Sequence, residues 1–426
     1  MLKRKKTVPM PFEAGIKQIT IRIILSLIQM DVRTLKPFVH RLLALLVVVT
    51  PLSGLAARTA PDPLLASQIV DRYAQNIFYN TKATGMAMVA IDANQRVFAS
   101  QGAIRPGSKV RPQKDSVIRI ASLTKLLTSE LLVKLSEQGV VRLDDPLSKY
   151  APAGSSVPSY AGQTIRLINL ATHTSGLPRE QPGGKPQRPV FVWPTHSQRW
   201  NWLERAQLKT TPGTQAAYSN LAFDLLGDAL SKAAGVPYPT LLQREITRPL
   251  GMKDTTFTPS PDQCGRLMVA AKGASPCMNT LAAIGSGGVY STPDDMGRWM
   301  QQFLSSDVHP RTAQADRIQT MIYQRDQLNR VVGMDVPGKA SALGMGWVYM
   351  APQGGRPGII QKTGGGGGFI TYMAMVPQYS VGVFIVVTRS AQTHFTPMSD
   401  GVNNLLTELI GNTPDSAQLA ASIMAN

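Results

Sequence analysis

Ser122-Leu123-Thr124-Lys125 sets a hydroxyl and an amine three residues apart, a spacing that puts both on one face of a helix. Such a pair can make an activated nucleophile. The helix start offers free N–H groups and partial positive charge. A lysine buried beside other cations falls well below its free pKa of about 10.4 and becomes a base. Taken alone, the pair is explained equally well by a serine cap and a lysine on a solvated face. Tyr218-Ser219-Asn220 adds a phenol able to act as general base or acid, and an amide able to donate to a substrate. An asparagine before a helix is also an ordinary N-cap, so this triplet too has a bland reading. Lys362-Thr363-Gly364 ends a strand-like run and leads into Gly365 to Gly368. Glycine there lets a substrate backbone approach a strand, with Lys362 and Thr363 binding an anionic group on that substrate. Each triplet is weak by itself; in this order, each at its own kind of element, they describe a serine acyl-transfer site.

A Ser-His-Asp triad is the main rival. No Gly-x-Ser-x-Gly string is present, and the sparse histidines lack a partner pattern. His173, in Ala171-Thr172-His173-Thr174-Ser175-Gly176, is the best candidate base. It is read as structural, holding a turn, because no third group can be named to orient it. The glycine run after Lys362 is not a phosphate loop, since no Gly-Lys-Ser/Thr follows it. Neither His-Glu-x-x-His nor paired-cysteine spacing occurs, so no metal or cofactor is expected.

These residues need elements to hold them. Leu64, Leu65, Ile69, Val70, Tyr73 and Ile77 recur at helical intervals after Pro61-Asp62-Pro63. Met86 to Ile91 and Arg96 to Ser100 read as a hairpin around Asp92-Ala93-Asn94-Gln95. A long helix is predicted over Ile118 to Gln138, with Ser122 near its start and Gly139 after its end. From about 140 to 335 the chain is helical and loop-rich, with a Pro/Gly-dense surface loop over 178–194, a helix from Leu221 to Ala233 capped by Asn220, and a helix start at Ser291-Thr292-Pro293-Asp294-Asp295. Past about 340, four β-rich runs follow in meander order (Gly344 to Met350, Gly358 to Thr363, Phe369 to Val376, Val381 to Thr388), then a helix from about Met398 to Ile410. The expected class is α/β (α+β): a discontinuous α/β domain from 58–120 and 340–426, and a helical domain over 121–339. A site is expected in the cleft between the two.

Residues 1–57 differ from the rest. Two basic stretches precede an apolar run, Leu42 to Val49, and small residues at Ser53, Gly54, Ala56 and Ala57. This reads as a signal peptide, with Met30 as the expected start, and no cysteine stands near the cleavage site to carry a lipid. The competing reading is a membrane anchor, but the run is far short of the roughly 20 residues a bilayer needs. The formal charge of +18 is partly due to this leader; from residue 58 on, 35 basic and 24 acidic residues leave +11. A basic exported protein is drawn to anionic lipid headgroups or cell-wall polymer, and a peripheral contact with an anionic membrane surface is expected. No basic run with interleaved aromatics follows the leader, so nucleic acid is set aside as a partner. Cys264 and Cys277, thirteen residues apart, are a disulfide candidate in an oxidising compartment, closing a loop worth roughly 3 kcal/mol. The alternative is two free buried thiols.

Ser122-x-x-Lys125, Tyr218-x-Asn220 and Lys362-Thr363-Gly364 together resemble the penicillin-recognising serine enzymes of the class C β-lactamase group. Thr172-His173-Thr174-Ser175-Gly176-Leu177, Gln181-Pro182-Gly183-Gly184 and Gly287-Gly288-Val289-Tyr290-Ser291-Thr292 look like further segments of that family, and the likeness covers nearly the whole chain after the leader. The class A pattern is not met: Ser-Asp-Asn is missing, and Ser399-Asp400-Gly401 is the nearest string. The resemblance implies a β-lactamase/transpeptidase-like fold, an antiparallel sheet flanked by helices with an inserted all-helical domain. It implies a periplasmic D-alanyl-D-alanine carboxypeptidase/endopeptidase of cell-wall turnover, acting on peptidoglycan peptides and acylated by β-lactam antibiotics. Ser122 would be the nucleophile, Lys125 and Tyr218 its bases, Asn220, Lys362 and Thr363 the substrate contacts. The backbone N–H groups of Ser122 and Gly365 would hold the oxyanion. A β-lactamase, a serine esterase of the same fold and a non-catalytic penicillin-binding sensor are the alternatives. The intact proton-transfer set argues against the sensor.

Overall fold

The computed structural model describes residues 63–93, 95–182, 193–306, 310–334 and 338–411. These all belong to one compact unit, Ala57–Asn426. The expected leader, residues 1–57, lies outside the described residues, as do Gly183 and Gly184.

The sheet strands are β1 (Gly85–Asp92), β2 (Gln95–Gly102), β3 (Met321–Gln324), β4 (Ala342–Gly344), β5 (Val348–Met350), β6 (Ile359–Gly366), β7 (Phe369–Val376) and β8 (Val381–Thr388). They form one eight-stranded sheet in the order β2-β1-β8-β7-β6-β5-β4-β3. Every pairing in it is antiparallel. Five helices matter for the site and its support: α1 (Pro63–Thr81), α2 (Thr124–Glu137), α3 (Asn220–Ala234), α4 (Pro293–Gln301) and α5 (Thr396–Gly411).

Strand β1 shows why its sequence reads as an unbroken apolar run. Successive side chains point to opposite faces, and here both faces are covered. Met86, Met88 and Ala90 pack with Ile69, Val70 and Ile77 of α1 and Val402, Leu405 and Leu409 of α5. Ala87, Val89 and Ile91 belong to the larger core, with Leu126 and Leu127 of α2, Leu225 and Leu226 of α3, and Trp299 of α4. Each large aliphatic side chain so buried contributes about 2 kcal/mol. The outer helices thus brace the sheet from behind, leaving its other face for α2, α3 and α4.

Two details differ from the sequence reading, and both concern the site. Ile118 and Arg119 are not helical; they pair antiparallel with Ser291 and Tyr290 as a short ladder. The α-helix begins only at Thr124, after a 3-10 turn over Ala121–Leu123. The second difference is at α3, where Ser219, not Asn220, is the N-cap, its Oγ accepting from Ala222 N at 2.9 Å. That frees the Asn220 side chain for other partners. Cys264 and Cys277 are joined in a disulfide.

Candidate active site

Ser122 sits in the 3-10 turn, and the turn is pinned on several sides. Ile120 N donates to Val289 O at 3.2 Å, and Ile120 O accepts from Thr371 Oγ1 of β7 at 3.1 Å. Thr124 Oγ1 accepts from Val289 N at 3.2 Å. Between these anchors Ala121 is held at φ +49°, a left-handed conformation costing an alanine about 1 kcal/mol or more. Strand β6 crosses close by. A Cβ on Gly364 would fall 3.1 Å from Ser122 N and 2.9 Å from Ile120 O, so only glycine lets the strand approach the Ser122 backbone this closely. Gly365, the next residue, is exposed.

Two proton-carrying groups reach the Ser122 hydroxyl. Tyr218 OH donates to Ser122 Oγ at 2.7 Å, and Lys125 Nζ lies 3.3 Å from the same oxygen. Lys125 is wholly buried. Its amine also donates to Asn220 Oδ1 and to Ser286 O, each at 2.6 Å. Burial, followed by the Lys362 charge, holds the Lys125 amine well below its ordinary value, against the opposing pull of Asp224 and Glu180. With two N–H bonds committed to carbonyl oxygens, a neutral amine has its lone pair left to face Ser122.

The second layer explains why those carbonyls stay in place. Asp224 Oδ1 accepts from Gly285 N and Ser286 N, both at 3.0 Å, and so aims Ser286 O at Lys125. Burial pushes the Asp224 carboxyl up to about 6, against the lowering influence of Arg199. Asn220 Nδ2 donates to Glu180 Oε1 at 2.5 Å. Beneath Tyr218 lies His173, its ring stacked on the phenol at 4.5 Å between centroids. His173 Nδ1 accepts from Ser219 N at 3.0 Å. Burial, with the Lys125 charge next, keeps His173 well below its ordinary value and hence neutral. It has a backbone partner and a ring to support, in keeping with a residue that holds a turn.

Lys362 and Thr363 of β6 are nearly buried. Lys362 Nζ donates to Thr363 O at 3.1 Å and stands 5.0 Å from the centre of the Tyr218 ring. The structure therefore brings Ser122, Lys125, Tyr218, Asn220, Lys362, Thr363 and Gly365 together from three separate stretches of chain. Among the described residues there is no group of three or more His, Cys, Asp or Glu side chains placed to hold a metal ion.

Comparison with known proteins identifies the framework. A family model described as Beta-lactamase matches residues 67–403. The chain belongs to the beta-lactamase family. It is 71% identical over 359 residues to the D-alanyl-D-alanine-carboxypeptidase/endopeptidase AmpH of Escherichia coli K12, a match taking in 84% of this chain and 93% of that protein. A solved structure of a beta-lactamase/D-alanine carboxypeptidase from Yersinia pestis, complexed with citrate, is 62% identical with a TM-score of 0.80, covering 82% of this chain and 99% of its own. An octameric penicillin-binding protein homologue from Pyrococcus abyssi shares the fold alone, at 20% identity and a TM-score of 0.64, over 81% of this chain and 77% of its own. The fold is the β-lactamase/transpeptidase-like one.

Three contributors to the site went unmarked in the sequence. Glu180 stands in no motif; Asp224 looks like any polar position of an amphipathic helix; and the Ser286 carbonyl is a backbone atom. The one available signal for Glu180 was its place immediately before Gln181-Pro182-Gly183-Gly184.

Proposed function

We propose that this chain is a serine D-alanyl-D-alanine carboxypeptidase/endopeptidase that cleaves peptidoglycan peptides through an acyl-enzyme on Ser122. The observation carrying this reading is the Ser122 hydroxyl held between Tyr218 OH at 2.7 Å and Lys125 Nζ at 3.3 Å, with Lys362 beside them.

In the first step neutral Lys125 takes the Ser122 proton, and Oγ adds to the carbonyl carbon preceding the terminal D-alanine. The carbonyl oxygen gains the negative charge and is held by the Ser122 and Gly365 backbone N–H groups; one such donor is worth about 3 kcal/mol. Lys362 and Thr363 bind the terminal carboxylate when a chain end is trimmed, and Asn220 offers its remaining amide hydrogen to the substrate. As the C–N bond breaks, Tyr218 gives its proton to the leaving amine and recovers one from the Lys125 ammonium. Water then attacks the ester, losing its proton to the same pair, and Ser122 is regenerated.

A β-lactam presents an amide and a carboxylate in a similar relation, its amide further activated by the strain of the four-membered ring, so it acylates the same serine. Its hydrolysis as a second activity is favoured by the Yersinia relative, which is described as both β-lactamase and carboxypeptidase. The leader pattern and the Cys264–Cys277 disulfide, which an oxidising compartment preserves, support a place in the periplasm. Among the described residues no helix is long and apolar enough to cross a membrane; a peripheral contact through the +11 net charge after residue 57 completes the reading.

Purified protein incubated with pentapeptide muropeptides and crosslinked dimers is expected to release D-alanine from the former and monomers from the latter. Ser122→Ala is expected to do neither. Turnover surviving in Ser122→Ala, or lacking in the natural chain, would overturn the reading.

A further inference from the structure

Glu180 lies outside the motifs that mark the site, yet two hydrogen bonds connect it to the base. Asn220 Nδ2 donates to Glu180 Oε1 at 2.5 Å, and Lys125 Nζ donates to Asn220 Oδ1 at 2.6 Å. We propose that Glu180 is a positioning residue of this site, acting through the Asn220 amide on Lys125. The proposal rests on the acyl-transfer reading and extends it to a carboxylate that no motif assigns.

An amide placed between these two groups has one workable orientation. The lysine N–H needs an oxygen, and a carboxylate, being acceptor only, needs an N–H. Turning the amide over would set N–H against N–H and oxygen against oxygen. Glu180 therefore keeps Asn220 Oδ1 on Lys125. Together with Ser286 O, that oxygen occupies two of the amine's directions and leaves the third for Ser122.

The placement of Glu180 is built rather than incidental. Asn220 N and Leu221 N donate to Arg179 O at 2.8 and 3.3 Å, and Ser219 Oγ donates to Pro178 O at 2.7 Å. The 178–180 segment is thus clamped to the start of α3 just where Asn220 leaves it. Glu180 as a residue remains exposed, while its Oε1 end turns in to Asn220. Burial raises its carboxyl above the usual range, with Asn220, Lys125 and Arg179 pulling the other way.

The charges facing Lys125 are Lys362 and Arg179 on the positive side, Asp224 and Glu180 on the negative; the nearby His173 is neutral. Asp224 is tied up in holding Gly285 N and Ser286 N, so removing it also unseats backbone. Glu180 is the acid whose charge can be removed while that backbone stays held.

A negative neighbour favours the charged lysine, so removing it favours the neutral amine, the form that takes the Ser122 proton. The test is the pH dependence of penicillin acylation at Ser122, measured in the full-length protein for the natural chain, Glu180→Gln, Glu180→Ala and Glu180→Asp. Glu180→Gln keeps the shape and an acceptor but loses the charge, and its ascending limb is expected at lower pH. Low on that limb its rate, relative to its own plateau, should exceed that of the natural chain by roughly three- to tenfold. Glu180→Ala should show the same displacement with a lower plateau, because the amide is no longer locked. Glu180→Asp should return the limb toward its original place. Coincident limbs for Glu180→Gln and the natural chain would overturn the proposal.

A second measurement does not need turnover. The 13Cε resonance of Lys125, assigned through Lys125→Arg, should titrate at lower pH in Glu180→Gln. An unmoved titration overturns the role of Glu180 even if the enzyme is active. A natural chain that penicillin never acylates would instead sink the functional reading, while the lysine titration still decides the link from Glu180 to Lys125.

Discussion

Lys125 and Lys362 bring their amines to 4.9 and 5.0 Å from the centre of the same Tyr218 ring, yet their surroundings differ. Lys125 rises from a helix start into full burial, and side-chain and backbone oxygens from two other segments hold it. Lys362 rises from a sheet strand and donates to the carbonyl of its own neighbour, Thr363, close to exposed Gly365. The helix side suppresses the charge on its lysine, as proton transfer requires. The strand side sets its amine beside Tyr218, where its proposed task is to bind an anionic substrate end. The two are linked, because after burial the Lys362 charge is the next cause of the lowered Lys125 value. In the proposed reading one residue, Lys362, is both the binding group and part of the field acting on the base.

The division of labour can be broken most sharply by removing each amine in turn. Lys125→Ala should slow acylation of Ser122 by roughly a thousandfold on charged and neutral substrates alike. On the pH plateau, Lys362→Ala should cost roughly ten- to a hundredfold on substrates ending in a free carboxylate and leave the ester nearly unchanged. Stopped-flow acylation with a penicillin and with a carboxylate-free ester separates the two; equal losses on the ester would erase the distinction.

The pH profile sharpens it further. The acylation rate should rise with pH through the lowered Lys125 value, since the neutral amine is the base. Lys362→Ala takes away a nearby cation, so Lys125 holds its proton more tightly and the limb should move to higher pH. Glu180→Gln should move it the other way. Opposite displacements in the two variants are the signature of a shared electrostatic centre.

Effects on stability are smaller. Asp224→Ala leaves the Gly285 and Ser286 N–H groups buried without their acceptor and should cost about 2–3 kcal/mol in urea unfolding. Thr371→Val removes the hydrogen bond from β7 to Ile120 O, the tie between the sheet and the turn that carries Ser122. It should cost about 1 kcal/mol by the same measurement.

What was legible in the sequence follows from how local each signal is. Strands β1, β7 and β8 are apolar on both faces and bounded by turns, so their positions could be read within a residue or two. Ile118 and Arg119 deceived because their apolar spacing continues into α2. Their true partners, Tyr290 and Ser291, lie some 170 residues away, beyond any local pattern. Asn220 reads as a cap because asparagine is a good one, but Ser219 beside it is equally good and wins the position. The motif residues stand out because the chemistry proposed for them needs side chains of particular types. Glu180 and Asp224 were not, since many polar residues could occupy such places and only the three-dimensional contact gives them a task.

The most direct test of the central claim is intact-mass analysis and peptide mapping after brief exposure to a penicillin. The account predicts a single adduct on the peptide bearing Ser122 in the natural chain, none in Ser122→Ala, and slow formation in Lys125→Ala. An adduct on any other residue, or one that persists in Ser122→Ala, would contradict it.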